Sequence, residues 1–163
     1  MLLLVGVVSD THIPSRGRRL PPALLAGLRG ADLILHAGDL TILAVLDELR
    51  RIAPVEAVYG NVDAPEVVAT LPRTRVVTAG GKRIGLVHGD GPGASTLARA
   101  RRAFLGLPLD AIVFGHSHAP YCEWEGNTLL FNPGSPTDKR RQPRPSFGLL
   151  HVTVEVEGEV VYL

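Results

Sequence analysis

Residues 2–12, LLLVGVVSDTH, decide the fold, because an apolar run ends abruptly in two residues that are able to bind metal. Leu2–Val8 shows no alternation of polar and apolar positions, which is typical of a strand buried on both faces. Asp10 and His12 follow at the point where this strand ends. Loops at the carboxyl ends of parallel strands line the ligand crevice of α/β proteins. The stretch therefore predicts both a central strand and a site at its end.

Later parts of the chain repeat this pattern of a buried strand followed by a polar residue. The repeats are Ala31–His36 before Asp39, Val55–Tyr59 before Asn61, Ile84–Val87 before His88, and Ile112–Phe114 before His116 and His118. Each of these residues alone is weak evidence, since Asp and Asn are common in ordinary turns. The ordered set, with Gly-His-Ser-His at its end, predicts one site at a sheet edge.

Helical and hairpin signals surround these strands. Helical spacing predicts helices at Pro21–Leu28, Ile42–Arg51, Pro65–Thr70 and Ala94–Phe104. Glycine-containing turns predict three hairpins: Thr74–Ala79 with Lys82–Val87, Tyr121–Glu125 with Thr128–Phe131, and Phe147–Val156 with Val160–Leu163 around a turn at 157–159. We expect a single domain over residues 1–163, mixed α/β, with two sheets packed face to face and helices outside.

Composition excludes several classes of protein. The net charge of +1 gives no general attraction to nucleic acid or to anionic membranes. No apolar run reaches the ~18 residues of a membrane span, and the start lacks the basic segment of a signal peptide. Cys122 is the only cysteine, so no disulfide forms within the chain, as is usual in a reducing compartment. We expect a cytoplasmic protein without a membrane partner or an extended nucleic-acid track.

The donor set predicts a pair of metal ions. It combines carboxylate, amide and imidazole groups without sulfur, and its members are Asp10, His12, Asp39, Asn61, His88, His116 and His118. Such ligands suit Mn, Fe, Co, Ni or Zn. Seven ligands are too many for one transition ion, but they suit two ions if one carboxylate bridges them. Two divalent ions, two carboxylates and a hydroxide leave a charge of about +1, which favours an anionic substrate such as a phosphate ester.

These motifs resemble those of the calcineurin-like metallophosphoesterase superfamily, in the same order. They are Asp10-Thr-His12, Gly38-Asp39, Gly60-Asn61, His88-Gly89 and Gly115-His116-Ser-His118. The small size and the segment Asn132-Pro-Gly-Ser135 are similar to the compact prokaryotic phosphodiesterases of the YfcE type. The resemblance implies a four-layer α-β-β-α sandwich of two mixed sheets flanked by helices.

The resemblance also implies a role for each position. Asp10, His12 and His118 would hold one metal; Asn61, His88 and His116 would hold the other; Asp39 would bridge them. Mn is the first choice of metal. A hydroxide bridging both metals would attack phosphorus in line with the leaving group, so that Asp39, Asn61 and His116 count as catalytic. The substrate implied is a small phosphodiester, with nucleotides as one option.

One position departs from the family. Many members carry a histidine directly after the metal-binding asparagine, where this chain has Val62. Without that acid, protonation of a poor leaving group is weakened, so we expect a preference for diesters with good leaving groups.

The same residues and the same fold are compatible with other functions. A phosphomonoesterase or a nuclease would use the same ligands, although a nuclease usually needs a basic track. The fold also serves as a non-catalytic interaction scaffold, as in the retromer subunit that resembles this branch. Exposed hydrophobic hairpin edges would allow a homo-oligomer.

Further residues are candidates for substrate binding. Asn132 and Ser135 would line the pocket, with an ordinary turn as an equal alternative. Arg16, in the basic stretch after the first motif, would hold phosphate, as would the basic run at 139–144, with solvated loops as the more common outcome. His36 is expected to be a core residue or a ligand support, and Asp63 either supports a ligand or stabilises its own turn.

Overall fold

The computed structural model describes residues 1–163 and consists of two five-stranded β-sheets and four helices. The first sheet contains β1 (Leu3–Val8), β2 (Leu33–His36), β3 (Val55–Ala57), β9 (Ser146–Val152) and β10 (Val156–Tyr162). The second contains β4 (Thr74–Ala79), β5 (Lys82–Val87), β6 (Ala111–Val113), β7 (Tyr121–Glu125) and β8 (Thr128–Asn132). The helices are α1 (Pro22–Gly27), α2 (Ala44–Arg50), α3 (Pro65–Thr70) and α4 (Thr96–Ala103).

Both sheets are mixed. The first runs in the order β10-β9-β1-β2-β3, with β1, β2 and β3 parallel and β9 and β10 antiparallel to their neighbours. The second runs in the order β4-β5-β6-β8-β7, with β5, β6 and β8 parallel and an antiparallel strand at each edge. The parallel strands at the centre of each sheet bring several strand ends to one edge.

The core lies in three layers of contact. Val5 and Val7 of β1 face Leu86 and Phe131 of the second sheet in the central cluster. The outer face of the first sheet packs against α1, α2 and α3. The outer face of the second sheet packs against α4 through Ala100 and Phe104. This is the predicted α-β-β-α sandwich, and that prediction is confirmed.

The last hairpin was predicted with the wrong turn. Its strands are β9 and β10, and the turn is Thr153–Glu155 rather than Glu157–Glu159. Gly158 lies inside β10, opposite Leu150. A Cβ at Gly158 would lie 2.8 Å from both Cys122 and Phe131, so this glycine permits close packing between the sheets and marks no turn.

Helix α4 begins two residues later than predicted. Ser95 caps it, because its hydroxyl accepts a hydrogen bond from the N–H of Ala98 at 3.1 Å. Ala94 lies before the cap with a left-handed φ of 52°, which excludes it from the helix. None of the helices combines the length and the hydrophobicity that crossing a membrane requires.

Candidate metal centre

Two groups of metal-binding side chains meet at the carboxyl ends of the central strands. One group is Asp10, His12 and His118; the other is Asp39, His88 and His116. Within each group, the ligand atoms lie within 4.8 Å of one another. The predicted convergence of loops after β1, β2, β5 and β6 therefore brings six of the seven predicted ligands into two clusters.

The two oxygens of the Asp10 carboxylate have different tasks. Oδ2 accepts hydrogen bonds from the Ser9 hydroxyl at 2.6 Å and the His116 N–H at 3.0 Å. Oδ1 is buried without a hydrogen bond and lies 3.4 Å from His118 Nε2 and 3.7 Å from His12 Nε2. One oxygen fixes the carboxylate, and the other is left to bind an ion.

Asp39 shows the same division. Its Oδ1 accepts a hydrogen bond from the Val62 N–H at 3.0 Å. Its Oδ2 lies 3.0 Å from His88 Nε2 and 3.8 Å from His12 Nε2, which belong to different groups. This oxygen therefore lies between the two clusters, where a bridging ligand has to be.

Two imidazoles are oriented by backbone carbonyls. His88 Nδ1 lies 2.7 Å from the Ala37 carbonyl, and His118 Nδ1 lies 2.5 Å from the Asp138 carbonyl. In the neutral ring each Nδ1–H donates to its carbonyl, which leaves the Nε2 lone pair directed at the carboxylates. Such a hydrogen bond to the other ring nitrogen is how metal-binding histidines are usually held.

Mutual electrostatics perturb the carboxylate Asp10 and its neighbour His88 strongly. Burial alone would raise the pKa of Asp10, but His88, His118 and His12 hold that pKa well below its usual range. Burial would lower the pKa of His88, but Asp10 and Asp39 raise it to about 9. The carboxylates are thus charged near neutral pH, and they stabilise a proton on His88 with which a metal ion must compete.

The remaining ligands shift less. Burial would raise the pKa of Asp39, but His88 lowers it overall. Burial would lower the pKa of His118, yet Asp10 raises it overall, against an opposing effect of Arg140. Burial and the charge on His88 lower the pKa of His116, which favours its neutral, metal-binding form.

The residues fit a pair of divalent ions. Four buried atoms aimed into the centre have no hydrogen-bond partner: Asp10 Oδ1, His12 Nε2, His88 Nε2 and His118 Nε2. A buried polar atom without a partner costs free energy, and a cluster of them is expected where an ion is coordinated. The oxygen and nitrogen donors suit the metals that the sequence predicted.

The local backbone explains why glycines precede the ligands. A Cβ at Gly60 would clash with the Asp39 carboxylate, and a Cβ at Gly115 would clash with the side chains of Ser9 and Asp10. The ligands themselves are unusual for non-glycine residues, since five have a left-handed φ of 46–68°: Asp10, His12, Asp39, His116 and His118. Such strain persists where the surrounding structure enforces it, often at functional sites.

His36 belongs to neither group of metal-binding side chains, and it contacts the loops that carry them. It is fully buried, and its Nδ1 accepts a hydrogen bond from the Gly38 N–H at 3.1 Å. Its Nε2 must then carry the proton and donate it to the Thr11 hydroxyl at 3.1 Å. Burial lowers the pKa of His36 to about 4, so the ring stays neutral.

Asp63 supports Asp39 directly. Its carboxylate accepts from three backbone N–H groups: Asp39 at 3.0 Å, Gly60 at 2.7 Å and Thr41 at 2.6 Å. It thereby ties the loop after β2 to the loop after β3. Of the two roles considered for this residue, the structure favours support of a ligand.

The predicted substrate-binding residues have different surroundings from one another. Ser135 and Asn132 are buried; the Ser135 hydroxyl donates to the Asp10 carbonyl at 2.8 Å, and the Asn132 amide donates to the Gly115 carbonyl at 3.0 Å. We assign both to positioning of the ligand loops. Arg16 is paired with Asp138 at 3.2 Å, which compensates its charge.

Asn61 and Val62 are exposed in the turn that begins at Gly60. Val62 leaves 48% of its surface accessible beside the centre, so an apolar side chain faces solvent there. Ligation of a metal by Asn61 stays a prediction.

Several supporting residues escaped sequence reasoning. Ser9 fixes the Asp10 carboxylate, and the Thr137 hydroxyl donates to the Thr11 carbonyl at 2.7 Å. The backbone carbonyl of Asp138 holds His118. A backbone contact of this kind does not depend on the residue type, so the sequence does not indicate it. The adjacency of Ser9 to the first motif is the only signal that would have pointed to one of them.

Comparison with known proteins agrees with this geometry. Residues 3–155 match the model of the calcineurin-like phosphoesterase superfamily domain. A probable metallophosphoesterase of Methanothermobacter thermautotrophicus is 39% identical over 160 residues, which covers 98% of this chain and 92% of that protein. Vps29 from Chaetomium thermophilum superposes with a TM-score of 0.80 at 27% identity, covering 99% of this chain and 97% of that one.

A second solved structure bears on the metal. Wild-type Vps29 from Entamoeba histolytica complexed with Zn²⁺ has a TM-score of 0.74 and 29% identity, covering 98% of this chain and 99% of that one.

Proposed function

Because this chain belongs to the calcineurin-like phosphoesterase superfamily, we propose that it is a metal-dependent phosphodiesterase that hydrolyses small phosphodiesters. The observation that carries the proposal is the set of buried, unpartnered donor atoms on Asp10, His12, His88 and His118. Their side chains converge with Asp39 and His116 on one centre, as a dinuclear hydrolase requires.

The proposal assigns each residue a task. Asp10, His12 and His118 would hold the first metal; His88, His116 and the predicted ligand Asn61 would hold the second; and Asp39 would bridge them. Mn is our first choice, with Ni, Fe, Co and Zn as alternatives; the Zn²⁺ complex of a structural relative makes Zn a specific second candidate. When bound, the ions would supply Lewis acidity and a hydroxide nucleophile near neutral pH.

The chain's own residues set the geometry of the centre. The N–H groups of His116 and Val62 hold the carboxylates of Asp10 and Asp39, respectively, so that one oxygen of each stays directed inward. Carbonyl partners keep the protons of His88 and His118 on Nδ1, away from the centre. Such preorganisation means that little reorganisation is needed during the reaction.

The apolar side chain of Val62 favours diester substrates that have a good leaving group. Its side chain is apolar and exposed beside Asn61, and it has no proton to give to a departing alkoxide. Aryl or similarly activated esters need no such proton, whereas alkyl esters do. We therefore expect aryl diesters to be hydrolysed faster than alkyl diesters.

The experiment is hydrolysis of an aryl phosphodiester and its monoester by metal-stripped protein, with Mn, Ni, Zn or Mg added back. We expect diester turnover that depends on metal and falls by about 10³-fold or more in Asp39→Asn, with a large loss also in His116→Ala. Asp47→Asn is the matched control, since Asp47 lies on α2 with its side chain 74% exposed. A faster reaction with the monoester would make the protein a phosphomonoesterase.

A second candidate is a protein-interaction scaffold of the same fold, which the likeness to Vps29 supports. The same assay separates the two functions. Folded, metal-loaded protein without turnover on any ester would end the hydrolase proposal and favour the scaffold.

A further inference from the structure

The loop after Ser135 is fixed against the metal centre at two points. The Thr137 hydroxyl donates to the Thr11 carbonyl at 2.7 Å, and the Asp138 carbonyl accepts from His118 Nδ1 at 2.5 Å. Both contacts join the loop to residues within or beside the first ligand group. The residues that follow Asp138 are therefore held at a defined place on the rim of the centre.

Arg140 has an unusual backbone conformation in this loop. Its φ of 48° lies in the left-handed region, which arginine seldom adopts. The non-glycine residues that share this region are mainly the five metal ligands, together with Thr41 and Ala94. A strained conformation is maintained where neighbouring contacts fix it, and here the fixed contacts are those of Thr137 and Asp138.

The guanidinium of Arg140 contacts the backbone of the loop that carries His116 and His118. Its Nη1 donates to the carbonyl of His116 at 3.4 Å, and the residue is exposed. Arg140 forms no ion pair with a carboxylate. Arg16, on the same rim, is paired with Asp138 at 3.2 Å. Arg140 thus offers an uncompensated charge, with further N–H groups of its planar fork available to an anion.

We propose that Arg140 is a specificity-determining residue that binds a non-bridging oxygen of the substrate's phosphoryl group at the His116 side of the centre. The inference rests on the proposed function, because it assumes that a phosphoryl group occupies the metal centre. A guanidinium forms charge-assisted hydrogen bonds to phosphate oxygens, often in pairs. Arg140 and not Arg16 is then the arginine through which the rim recognises phosphate.

The test measures inorganic phosphate binding as well as hydrolysis. Mn-loaded wild type, Arg140→Ala, Arg140→Lys and Arg29→Ala are titrated with inorganic phosphate by calorimetry, and KM and kcat are measured with an aryl phosphodiester. Arg29 is the matched control, since it is exposed, carries the same charge and follows α1, outside the loops that form the centre. Manganese content is measured for every variant.

We expect Arg140→Ala to weaken phosphate binding and to raise KM about tenfold, with kcat changed by less than about threefold. Arg140→Lys should recover part of the loss, because it keeps the charge without the planar fork. Arg29→Ala should stay within about twofold of wild type, as a screened surface charge does.

Three results would overturn the inference. They are equal losses in Arg140→Ala and Arg29→Ala, an unchanged phosphate affinity in Arg140→Ala, or a loss of manganese from Arg140→Ala that accounts for its weaker binding. If wild type binds manganese and phosphate but hydrolyses no ester, the proposed function fails, and the phosphate titrations still decide the role of Arg140.

Discussion

The two ligand groups use the same chemistry but are supported by different parts of the chain. In each group, one carboxylate oxygen is fixed by a backbone N–H while the other faces the imidazoles. The backbone at Asp10 is held from far along the chain, by Ser135 and Thr137. The backbone N–H of Asp39 donates to Asp63 in the next loop, and its carbonyl accepts from the His12 N–H at 3.0 Å. The backbone at Asp10 thus has two supporting side chains from a distant loop, whereas the backbone at Asp39 has one supporting side chain, a carboxylate.

Among the supporting residues, Asp63 is expected to have the largest effect when it is removed. Asp63→Ala leaves three N–H groups without their acceptor, so we expect a loss of about 3 kcal/mol in the free energy of unfolding. Displacement of Asp39 should lower diester turnover and manganese affinity by about 100-fold, as for other groups that orient ligands. Chemical denaturation and metal titration measure both. Asp47→Ala is the control, and wild-type metal affinity in Asp63→Ala would show that Asp39 needs no such support.

Removing the Ser135 hydroxyl should have a smaller effect, confined to the first group. Ser135→Ala loses the hydrogen bond to the Asp10 carbonyl, but Thr137 still contacts that carbonyl at 3.3 Å. We expect about tenfold weaker binding of one of two manganese ions, with the other unchanged. A two-site titration followed by calorimetry resolves the sites. Thr70→Ala, which removes an exposed hydroxyl–carbonyl hydrogen bond on α3, is the control. Equal weakening of both ions would mean that the groups are not supported separately.

The smallest predicted effect is on pH dependence, and it belongs to the second group. The pKa of His88 rises from 6.5 to about 9 in the folded protein. The stability contributed by its proton is therefore fully present below pH 6.5 and is lost as the pH rises through about 9. We expect the Tm of metal-free protein to fall over this window.

Manganese affinity should change in the opposite direction, because binding must displace the proton from His88. Thermal unfolding and metal titration across the same pH range measure the two trends. His88→Gln should flatten the fall in Tm. If the Tm of the wild type stays constant over this pH range, the proton is not bound by His88.

Sequence reasoning recovered the parts of this molecule that have a local signal. The family resemblance and the four-layer fold are confirmed. The fold was predictable because buried strands such as Leu3–Val8 form continuous apolar runs in the sequence. Asp10 and His118 each follow a parallel strand, as predicted, but β1 and β6 belong to different sheets, so their clustering also depends on how the two sheets pack. Roles of individual ligands and the substrate remain predictions.

The features that sequence reasoning missed depend on long-range packing. Gly158 resembles a turn residue, yet it permits the approach of Cys122 and Phe131 from the other sheet. Ser135 is predicted equally to line the pocket or to form a turn, and neither alternative includes the hydrogen bond from its hydroxyl to the carbonyl of Asp10, 125 residues earlier. Neither partner is visible from the neighbouring residues in the chain.

The left-handed backbone of the ligands has a consequence for how such a chain diverges. Asp, Asn and His are the non-glycine residues that tolerate this conformation best, and they are also metal ligands. A descendant that no longer bound metal would still retain them, for conformational reasons, at the five left-handed positions. Asn61 and His88 lie outside that region, so their backbone conformation does not restrict the residue type in this way. Replacement at these two positions would therefore be the first sign, in the sequence, of a lineage that had lost its metals.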